Sequence, residues 1–476
     1  MRVCISPRVF GGRVRVPASK SHTIRRLVMA SLTEGKSYIE NPLDSLDGRS
    51  CVSACKILGA EIEEIRDGGN LAACTVRGCP PPADVPCADP AHGRNLTVDV
   101  GNSGTTLFLG LAAASLFSVP VTFTGDDQIA RRGAAPLLEA LGSLGVTVES
   151  KNGCTPITVR GPWKGGKARI SCPTSQYLSA LLIASPLATA VTEIEVPLLN
   201  EKPYVEMTLS YLKAQGLCDC DKTGTAPLVA CAPDFSRFRI TGGASYKAIN
   251  GPVPGDFSSA AFPAAAAVIS GGRITLLGLD PDDTQGDKVF FEYLSRMGCD
   301  VQWESLSDRL DKPSRPGGPD TSAGGRRLNV SRSGPLRGGV FDLNATPDML
   351  PVMAALGAYA EGVTELVNAA HARIKETDRI AVMAAELAKL GVTCTEKPDG
   401  LVIHGNPRGL SETRKGFRRG EAVRLSGHGD HRVVMALACA ALGAGGPVEI
   451  EGAEAAGVTY PGFLELLEPA YNLRSR

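Results

Sequence analysis

Six apolar, alanine-rich segments recur along this chain, and each is followed by an amphipathic segment. The apolar segments cover residues 26–32, 106–117, 177–188, 260–269, 350–360 and 433–442. Five amphipathic segments end at a glycine before a β-like stretch, namely at Gly59, Gly145, Gly216, Gly298 and Gly391. The sixth begins near Tyr460 and runs to the end of the chain. The glycines are about 70 to 95 residues apart, which is typical of a repeated fold unit with insertions.

The periodicity of these segments predicts an α/β architecture. Helices that are apolar on every side belong inside a protein. Their partners carry a single apolar stripe, as Ile380, Met383 and Leu387 show. Each unit is therefore predicted to hold two helices and three or four short strands. Three units can close a domain by packing their buried helices together, with the sheets outside.

Two stretches interrupt the repeats, and a third marks a hinge. Residues 79–95 and 305–327 are rich in proline or glycine and are interpreted as surface insertions. The Pro- and Gly-containing segment 250–255 separates the third unit from the fourth and is the predicted hinge.

Composition excludes several classes of function. The 476 residues include 50 basic and 50 acidic side chains, and 43% of the residues are hydrophobic. Proteins that bind nucleic acid or membrane surfaces normally carry an excess of basic residues. No uninterrupted apolar run is long enough to span a membrane, and the N-terminus lacks the apolar core of a signal peptide. We expect a cytoplasmic protein without a nucleic-acid or membrane partner.

The fourteen cysteines do not form a recognisable disulfide or zinc pattern. No Cys-x-x-Cys pair is present, and no histidine stands at zinc-site spacing. We interpret them mainly as small buried thiols in a reducing compartment. Cys79 and Cys87 lie in a proline-rich loop and are expected to be exposed.

Basic residues stand at predicted helix starts, where acidic residues are normally favoured. A helix N-terminus carries partial positive charge and unpaired N–H groups. The residues concerned are Lys20, Arg25 and Arg26 at the first apolar helix, His431 and Arg432 at the sixth, and Lys375 and Arg379 beside a partner helix that Thr377 is predicted to cap. An anionic ligand bound at the same N-termini would make these positions favourable.

Other helix starts offer neutral donors and two candidate acid–base groups. Segments 101–106, 174–176 and 256–259 supply glycines and hydroxyls, each of which could alternatively be a simple helix cap. Taken together with the basic residues, they favour a shared anion cleft. Asp348 and Glu376 are its candidate proton-transfer groups, although an N-cap and a surface ion pair are their alternatives.

Seven motifs, in their order along the chain, resemble those of the 5-enolpyruvylshikimate-3-phosphate synthases. They are Lys20-Ser21-x-x-x-Arg25, Gly101-Asn102-Ser103-Gly104-Thr105, Ser175-Gln176-Tyr177-Leu178, Gly255-Asp256-Phe257-Ser258-Ser259-Ala260, Pro347-Asp348, Arg373-Ile374-Lys375-Glu376-Thr377-Asp378-Arg379 and Asp430-His431-Arg432. The last two are highly specific, whereas the glycine-containing stretch alone would be weak. The resemblance spans nearly the whole chain.

The resemblance implies a fold of two similar domains, each with three βαβαββ-type units, buried parallel helices and outer sheets (an inside-out α/β barrel). Residues 1–18 with 255–476 would form one domain and residues 19–254 the other, with the active site in the cleft between them. The implied reaction moves the enolpyruvyl group of phosphoenolpyruvate to the 5-hydroxyl of shikimate 3-phosphate and releases phosphate. No metal or organic cofactor is expected, and the protein is expected to be a monomer.

The same resemblance assigns roles residue by residue. It implies binding of shikimate 3-phosphate by Lys20, Ser21, Arg25, Thr174, Ser175, Gln176, Asp348 and Lys375. It implies binding of phosphoenolpyruvate by Lys20, Gly104, Arg132, Gln176, Arg379 and Arg432. Asp348 would be the base for the attacking hydroxyl, and Glu376, helped by Lys20, would protonate the methylene carbon.

Four positions depart from the family pattern. Val458 stands where a lysine is usual, and Glu201 where a serine often contacts the shikimate phosphate, which an acid would repel. His371 replaces a common asparagine, and Phe108 begins a pair that is commonly arginine-proline. Losing one charge-assisted contact costs about 1.5–3 kcal/mol, which weakens binding without necessarily abolishing catalysis.

Two alternative functions stay open at the level of sequence. A UDP-sugar enolpyruvyl transferase would carry a lysine-asparagine pair near its start and a reactive cysteine in a mobile loop. Here Ser21 follows Lys20, residues 126–133 hold no cysteine, and Cys154 lies too far along. A diverged homologue that binds anions without catalysis is suggested by Val458 and Glu201.

Overall fold

The computed structural model describes residues 1–81, 96–218, 226–305, 326–407 and 421–468. The chain divides into two compact units, one of Met1–Ser19 with Pro254–Arg476 and the other of Lys20–Val253. Each limit differs by one residue from the predicted domain limit. The cleft predicted between the domains stays a prediction, and Cys87 and most of both predicted insertions lie outside the described residues.

The described residues form twelve α-helices. They are α1 (Lys20–Ser31), α2 (Leu46–Ile57), α3 (Gly104–Ala114), α4 (Ala135–Ser143), α5 (Ser175–Ala184), α6 (Lys202–Ala214), α7 (Phe257–Ser270), α8 (Val289–Arg296), α9 (Leu350–Gly357), α10 (Arg379–Lys389), α11 (His431–Leu442) and α12 (Phe463–Leu466).

The same residues form twenty-five strands. They are β1 (Arg2–Ile5), β2 (Gly12–Arg15), β3 (Lys36–Glu40), β4 (Glu61–Asp67), β5 (Asn70–Arg77), β6 (Leu96–Asp99), β7 (Val121–Thr124), β8 (Thr147–Lys151), β9 (Cys154–Arg160), β10 (Gly166–Cys172), β11 (Thr192–Leu199), β12 (Val229–Cys231), β13 (Arg237–Ile240), β14 (Asn250–Pro252), β15 (Arg273–Leu277), β16 (Cys299–Ser305), β17 (Arg326–Arg332), β18 (Leu336–Arg337), β19 (Val340–Asp342), β20 (Ala360–Glu361), β21 (Val363–Val367), β22 (Thr393–Lys397), β23 (Gly400–His404), β24 (Val423–Ser426) and β25 (Val448–Glu451).

Six sheets of the described chain repeat one pairing pattern. The four-stranded orders are β14-β3-β5-β4, β6-β7-β9-β8, β10-β11-β13-β12, β2-β15-β17-β16 and β19-β21-β23-β22, and β24-β25-β1 is a three-stranded version. In each sheet the first two strands are parallel and the other neighbours antiparallel. The chain order β6, α3, β7, α4, β8, β9 is a βαβαββ unit. The predicted α/β repeat is therefore confirmed.

The first helix of each repeat is largely buried, because all of them except α1, which carries Arg25 and Arg26, are mainly apolar beyond the first turn. Every residue of α3 and α9 is buried, as is nearly all of α7. Alanines line much of α7, and their small side chains let neighbouring helices pack closely. The second helices keep the predicted stripe, since Ile380, Met383 and Leu387 of α10 are buried. Polar groups can therefore approach the buried helices chiefly at their ends.

Five glycines end the partner helices as the sequence predicts. Gly59, Gly145, Gly216, Gly298 and Gly391 all have positive φ, between 80° and 101°. This left-handed conformation is disfavoured for residues with a Cβ, which explains why glycine recurs there. The sixth repeat differs, because a 3₁₀ helix at Ala453–Val458 precedes the short α12.

The prediction for Cys79 is wrong. Its side chain is buried, and its backbone N–H donates to Ser31 O at 2.8 Å. This bond attaches the start of the loop to the end of α1. Seven of the twelve described cysteines are buried, and all twelve are free thiols.

Candidate active site

Lys20 opens α1 and forms an ion pair with a carboxylate of α2. Its Nζ lies 3.0 Å from Asp47 Oδ2, and the two side chains are only 15% and 6% exposed. Asp47 lies in the first turn of α2, where negative charge is favoured. No acidic side chain stands in the first turn of α1 itself. The pair therefore fixes an ammonium group beside a helix N-terminus.

Arg25, one turn further along α1, is buried and donates to protein acceptors. Its Nε donates to Thr208 Oγ1 at 3.0 Å, and its Nη2 to Tyr204 O at 3.1 Å. Its Nη1 donates to Ser21 O at 3.2 Å. Burial lowers the pKa of Arg25 to about 10, which still leaves it charged at neutral pH. Arg25 therefore adds positive charge beneath the start of α1 while holding α6 in place.

The N-terminus of α5 is capped by Thr174, which is the alternative left open for this segment by the sequence. Thr174 Oγ1 accepts a hydrogen bond from Gln176 N at 3.4 Å. Ser175 is buried, whereas Gln176 is half-buried. Two hydroxyls, an amide side chain and helix N–H groups thus gather at one end of α5, which suits an anion.

Glu201 already contacts this group of donors. Its Oε2 accepts hydrogen bonds from Thr174 Oγ1, Ser175 N and Ser175 Oγ, each at 3.0 Å. The residue is 3% exposed and lies at the start of α6 with φ 56° and ψ 40°. The sequence predicts repulsion of a phosphate by this acid; the structure adds that its carboxylate occupies the very donors assigned to that phosphate.

Gly104, Arg132 and Gln176 form a second group in the same unit. A Cβ at Gly104 would lie 2.7 Å from Arg132 Nη1 and 3.7 Å from Gln176 Oε1. The absence of a side chain at Gly104 therefore lets the guanidinium approach the start of α3. Phe108 packs edge-on against Tyr177 with ring centroids 4.9 Å apart. It therefore makes an apolar contact between α3 and α5 at a position where the family commonly has arginine.

Arg379 is the centre of an ion-pair network in the other unit. It contacts three carboxylates: Nε lies 2.7 Å from Asp430 Oδ2, Nη1 2.7 Å from Asp348 Oδ1 and Nη2 2.5 Å from Glu376 Oε2. Its side chain is wholly buried. Burial alone would lower the pKa of Arg379, but Asp430, Glu376 and Asp348 outweigh this and raise it above its ordinary value.

Asp348 is held as a carboxylate by three cations. Arg432 Nη2 lies 3.0 Å from Asp348 Oδ2, and Lys375 Nζ lies 4.0 Å from Oδ1. Burial favours the neutral acid, but Arg432, Lys375 and Arg379 together keep the pKa of Asp348 well below its usual range. Asp348 is therefore an ionised carboxylate, the form that can accept a proton.

Arg432 opens α11 and also contacts α7. Its Nη2 donates to Ser258 Oγ at 2.7 Å, and its backbone N–H donates to Asp430 Oδ1 at 2.9 Å. Burial lowers the pKa of Arg432, but the nearby carboxylates Asp348, Glu376 and Asp287 together outweigh it, and the net shift is upward. Arg432 is thus a permanent cation shared between two helix starts.

The structure corrects the predicted cap of α10. Thr377 is not the N-cap; Asp378 is, because its Oδ1 accepts from Ala381 N at 3.1 Å. Thr377 Oγ1 instead donates to Asp430 Oδ2 at 3.1 Å. The capping carboxylate is one position later because the helix begins only at Arg379.

The two alternatives for the candidate acid–base groups are also excluded. Asp348 does not cap α9, since Met349 precedes that helix and no side chain caps it. Glu376 is not a surface group, because its side chain is 10% exposed and pairs with the wholly buried Arg379.

Two carboxylates in these groups were not predicted from the sequence: Asp47, which pairs with Lys20, and Asp430, which pairs with Arg379. Ser258, from one of the predicted donor segments, contacts Arg432. Asp430 stands next to two basic residues at a helix start, and this position could have indicated from the sequence that it takes part in the ion-pair network. Asp47 gave no such indication, because an acid in a first helical turn is ordinary.

His371, which replaces an asparagine common in the family, contacts the backbone of its own unit. It is buried, and its Nε2 lies 3.1 Å from Asn344 O. Val458, by contrast, lies half-buried at the end of a 3₁₀ helix, and a valine side chain supplies no charge there.

The described residues carry neither a metal-binding cluster nor a membrane-spanning helix. Among them, no group of three His, Cys, Asp or Glu side chains could hold a metal ion. No helix within the described ranges is long and apolar enough to cross a membrane.

Comparison with known proteins agrees with these features. The chain matches a family model described as EPSP synthase (3-phosphoshikimate 1-carboxyvinyltransferase) over residues 6–467. It is 43% identical to the 3-phosphoshikimate 1-carboxyvinyltransferase of Acetivibrio thermocellus over 96% of this chain and 95% of the relative. It is 39% identical to that of Ruminiclostridium cellulolyticum over 96% and 95%.

A solved structure shares the fold. The EPSP synthase of Acinetobacter baumannii superposes with a TM-score of 0.71 at 25% identity, over 98% of this chain and 97% of that one. The repeated βαβαββ units, the motif residues gathered at helix starts and the full-length match agree, and the chain belongs to the EPSP synthase family, the 3-phosphoshikimate 1-carboxyvinyltransferases.

Proposed function

We propose that this chain transfers the enolpyruvyl group of phosphoenolpyruvate to the 5-hydroxyl of shikimate 3-phosphate and releases phosphate. Two clusters would act on this pair of substrates: the donors and cations at the starts of α1, α3 and α5, and the ion-pair network around Arg379. The observation that carries the assignment is Asp348, an ionised carboxylate held among Arg432, Arg379 and Lys375. A base next to fixed cations suits a reaction between two anionic substrates.

Shikimate 3-phosphate is assigned to the donors at the starts of α1 and α5. Thr174, Ser175 and Gln176 offer hydroxyl, N–H and amide groups to its phosphate. Ser21 and Lys20 add donors from α1, and the buried charge of Arg25 attracts the dianion from below. Asp348 and Lys375 are assigned to its ring hydroxyls.

Phosphoenolpyruvate is assigned to the remaining cations. Lys20, Arg132, Arg379 and Arg432 would bind its carboxylate and phosphate, beside Gly104 and Gln176. Arginine suits this task because its planar guanidinium donates two parallel bonds to a carboxylate or phosphate.

The reaction then proceeds by addition and elimination. Glu376 can take up a proton once phosphoenolpyruvate replaces its ion pair with Arg379. Helped by Lys20, it then gives that proton to the methylene carbon of phosphoenolpyruvate. The 5-oxygen of shikimate 3-phosphate bonds to the neighbouring carbon, and Asp348 takes its proton. The bond from that carbon to the phosphate oxygen next breaks, and the proton held by Asp348 passes to the leaving phosphate. The new methyl group returns a proton to Glu376, which restores the double bond. The surrounding cations stabilise the anionic tetrahedral intermediate.

Substrate binding would also activate Asp348. In the unliganded cluster its pKa is depressed mainly by Arg432, Lys375 and Arg379 acting against burial. Phosphoenolpyruvate adds negative charge to two of those cations and so offsets their effect. The pKa of Asp348 would therefore rise when both substrates are present, which makes it a better acceptor for the hydroxyl proton.

The alternatives receive less support. A UDP-sugar enolpyruvyl transferase would need the reactive loop cysteine, and Cys154 instead lies on strand β9. A non-catalytic homologue that only binds anions would have no need of two carboxylates in its site, yet Asp348 and Glu376 both pair with the buried Arg379. The expected monomeric state and cytoplasmic location are also proposals, and sedimentation of the purified chain tests the first.

A phosphate-release assay with both substrates tests the function. Turnover should require both compounds together, and Asp348→Ala and Lys20→Ala should each lower kcat/KM by at least about 100-fold. Asp282→Ala and Lys36→Ala are matched controls, because both residues are exposed and belong to neither cluster. Undiminished activity in the first two variants would overturn the assignment.

A further inference from the structure

Glu201 holds the same donors that the proposed function gives to the phosphate of shikimate 3-phosphate. A single oxygen, Oε2, accepts from the hydroxyl of Thr174 and from both the hydroxyl and the N–H of Ser175, each at 3.0 Å. A phosphoryl oxygen would require the same geometry, since it too accepts from hydroxyls and N–H groups at a helix N-terminus. The carboxylate thus imitates the ligand.

The backbone directs Glu201 to this position. The residue precedes α6 but makes no side-chain cap on that helix, so its carboxylate serves α5 instead. Its φ of 56° lies in the left-handed region, which residues with a Cβ seldom adopt. An unusual backbone conformation therefore coincides with a side chain turned toward the N-terminus of a neighbouring helix.

Burial and charge explain why the carboxylate stays there without ligand. Glu201 is 3% exposed, and an isolated buried carboxylate would be strongly disfavoured. Three donated bonds and the electrostatic attraction of buried Arg25 compensate. Arg25 is anchored to α6 through Tyr204 O and Thr208 Oγ1, so this positive charge is fixed beside the helix that Glu201 begins.

Two anions cannot use these donors at once. The hydroxyl and N–H protons are already committed, and a phosphate placed beside an ionised carboxylate would be repelled. We propose that Glu201 is an internal occupant of the phosphate subsite, which shikimate 3-phosphate must displace, and that it is a specificity-determining residue that reduces the preference for the phosphorylated substrate. This inference rests on the proposed function.

The affinity ratio between shikimate 3-phosphate and shikimate measures this effect, because the two compounds differ only in the phosphate. Calorimetry without phosphoenolpyruvate gives both dissociation constants for the wild type, Glu201→Ser and Glu201→Gln. Serine removes the competing carboxylate and restores a donor, so the ratio should rise at least about tenfold in favour of the phosphorylated compound. Glutamine keeps the shape but not the charge, and a smaller rise is expected.

Glu206→Ser is the matched control. Glu206 is an exposed acid on the same helix α6, so its removal changes the net charge equally without touching Thr174 or Ser175. Its affinity ratio should equal that of the wild type. Thermal unfolding of each variant identifies any that fails to fold; should the serine variant do so, the glutamine variant decides the question.

The outcomes separate this inference from the proposed function. If the wild type releases phosphate with both substrates but the Glu201 variants keep its affinity ratio, the internal-occupant proposal is wrong and the enzyme assignment stands. A folded variant that binds the phosphorylated compound less well than wild type would also overturn it, because Glu201 would then support the site. If the wild type itself turns over neither substrate, the proposed function fails first.

Discussion

Arg379 and Asp430 form an ion pair in which neither side chain is exposed to solvent. Arg379 Nε lies 2.7 Å from Asp430 Oδ2, and Nη2 donates to Oδ1 at 3.2 Å. The same carboxylate caps α11 by accepting from the N–H groups of Arg432 and Val433. One aspartate therefore connects the start of α10 with the start of α11 and fixes the direction of the guanidinium that Asp348 and Glu376 share.

Removing this aspartate should destabilise the protein strongly. Asp430→Ala leaves a buried arginine without its main partner and removes the cap of α11. A lost buried partner costs about 3–5 kcal/mol, so we expect the free energy of unfolding in urea to fall by about that amount. Glu451→Gln breaks an exposed ion pair with Arg2 and should change stability by less than about 1 kcal/mol. An equally small change for Asp430→Ala would contradict the structural role.

The contribution of Asp348 to stability should depend on pH. Its folded-state pKa lies below the unfolded value near 3.9, because the neighbouring cations outweigh burial. A depressed pKa gives stability that is fully present above the unfolded pKa and is lost as pH falls toward the folded one. The difference in unfolding free energy between wild type and Asp348→Asn should therefore be largest above about pH 5 and shrink below about pH 4. A difference that grows on acidification would refute this sign.

The repeated α/β fold could be predicted from the sequence because the patterns that indicate it are local and recur in each repeat. Apolar helices without a polar face must be buried, and the glycines after the partner helices have the positive φ that their position requires. The family model confirms the family that the motifs indicate. The repeats in the sequence do not reveal two of the strand pairings. Strand β14 pairs with β3, and β2 pairs with β15, although each lies far along the chain from the rest of its sheet. These two strands complete the first repeat of their units.

The partners of individual side chains were harder to predict. Thr377 and Asp378 are both good caps, and only the register of α10 decides between them. Glu201 could be compared with a family serine, but the sequence contains nothing about which donors its carboxylate accepts from. Cys79 sits in a proline-rich stretch, and its burial depends on a backbone bond to the end of α1. These errors arise where tertiary contacts override a local pattern.

Asp47 should act as a positioning residue for Lys20. Asp47→Asn keeps the side-chain shape but removes the charge that holds Nζ at 3.0 Å. We expect kcat/KM for phosphoenolpyruvate to fall about tenfold, in keeping with the loss of one charge-assisted contact. The binding of shikimate should change less, because Lys20 mainly serves the phosphorylated ligands. Asp282→Asn, which alters an exposed aspartate, is the control, and an effect equal to that control would exclude the role.

Gly104→Ala should weaken the binding of phosphoenolpyruvate with little loss of stability. The new Cβ would lie 2.7 Å from Arg132 Nη1, so the end of this flexible side chain must move away from the start of α3. We expect KM for phosphoenolpyruvate to rise several-fold, while the melting temperature changes little because no backbone atom is displaced. Gly142→Ala on α4 is the matched control: its Cβ meets nothing within 4 Å, and alanine favours a helix by about 0.5–1 kcal/mol over glycine. That control should keep the wild-type KM. An unchanged KM in Gly104→Ala as well would mean that the position of Arg132 does not govern phosphoenolpyruvate binding.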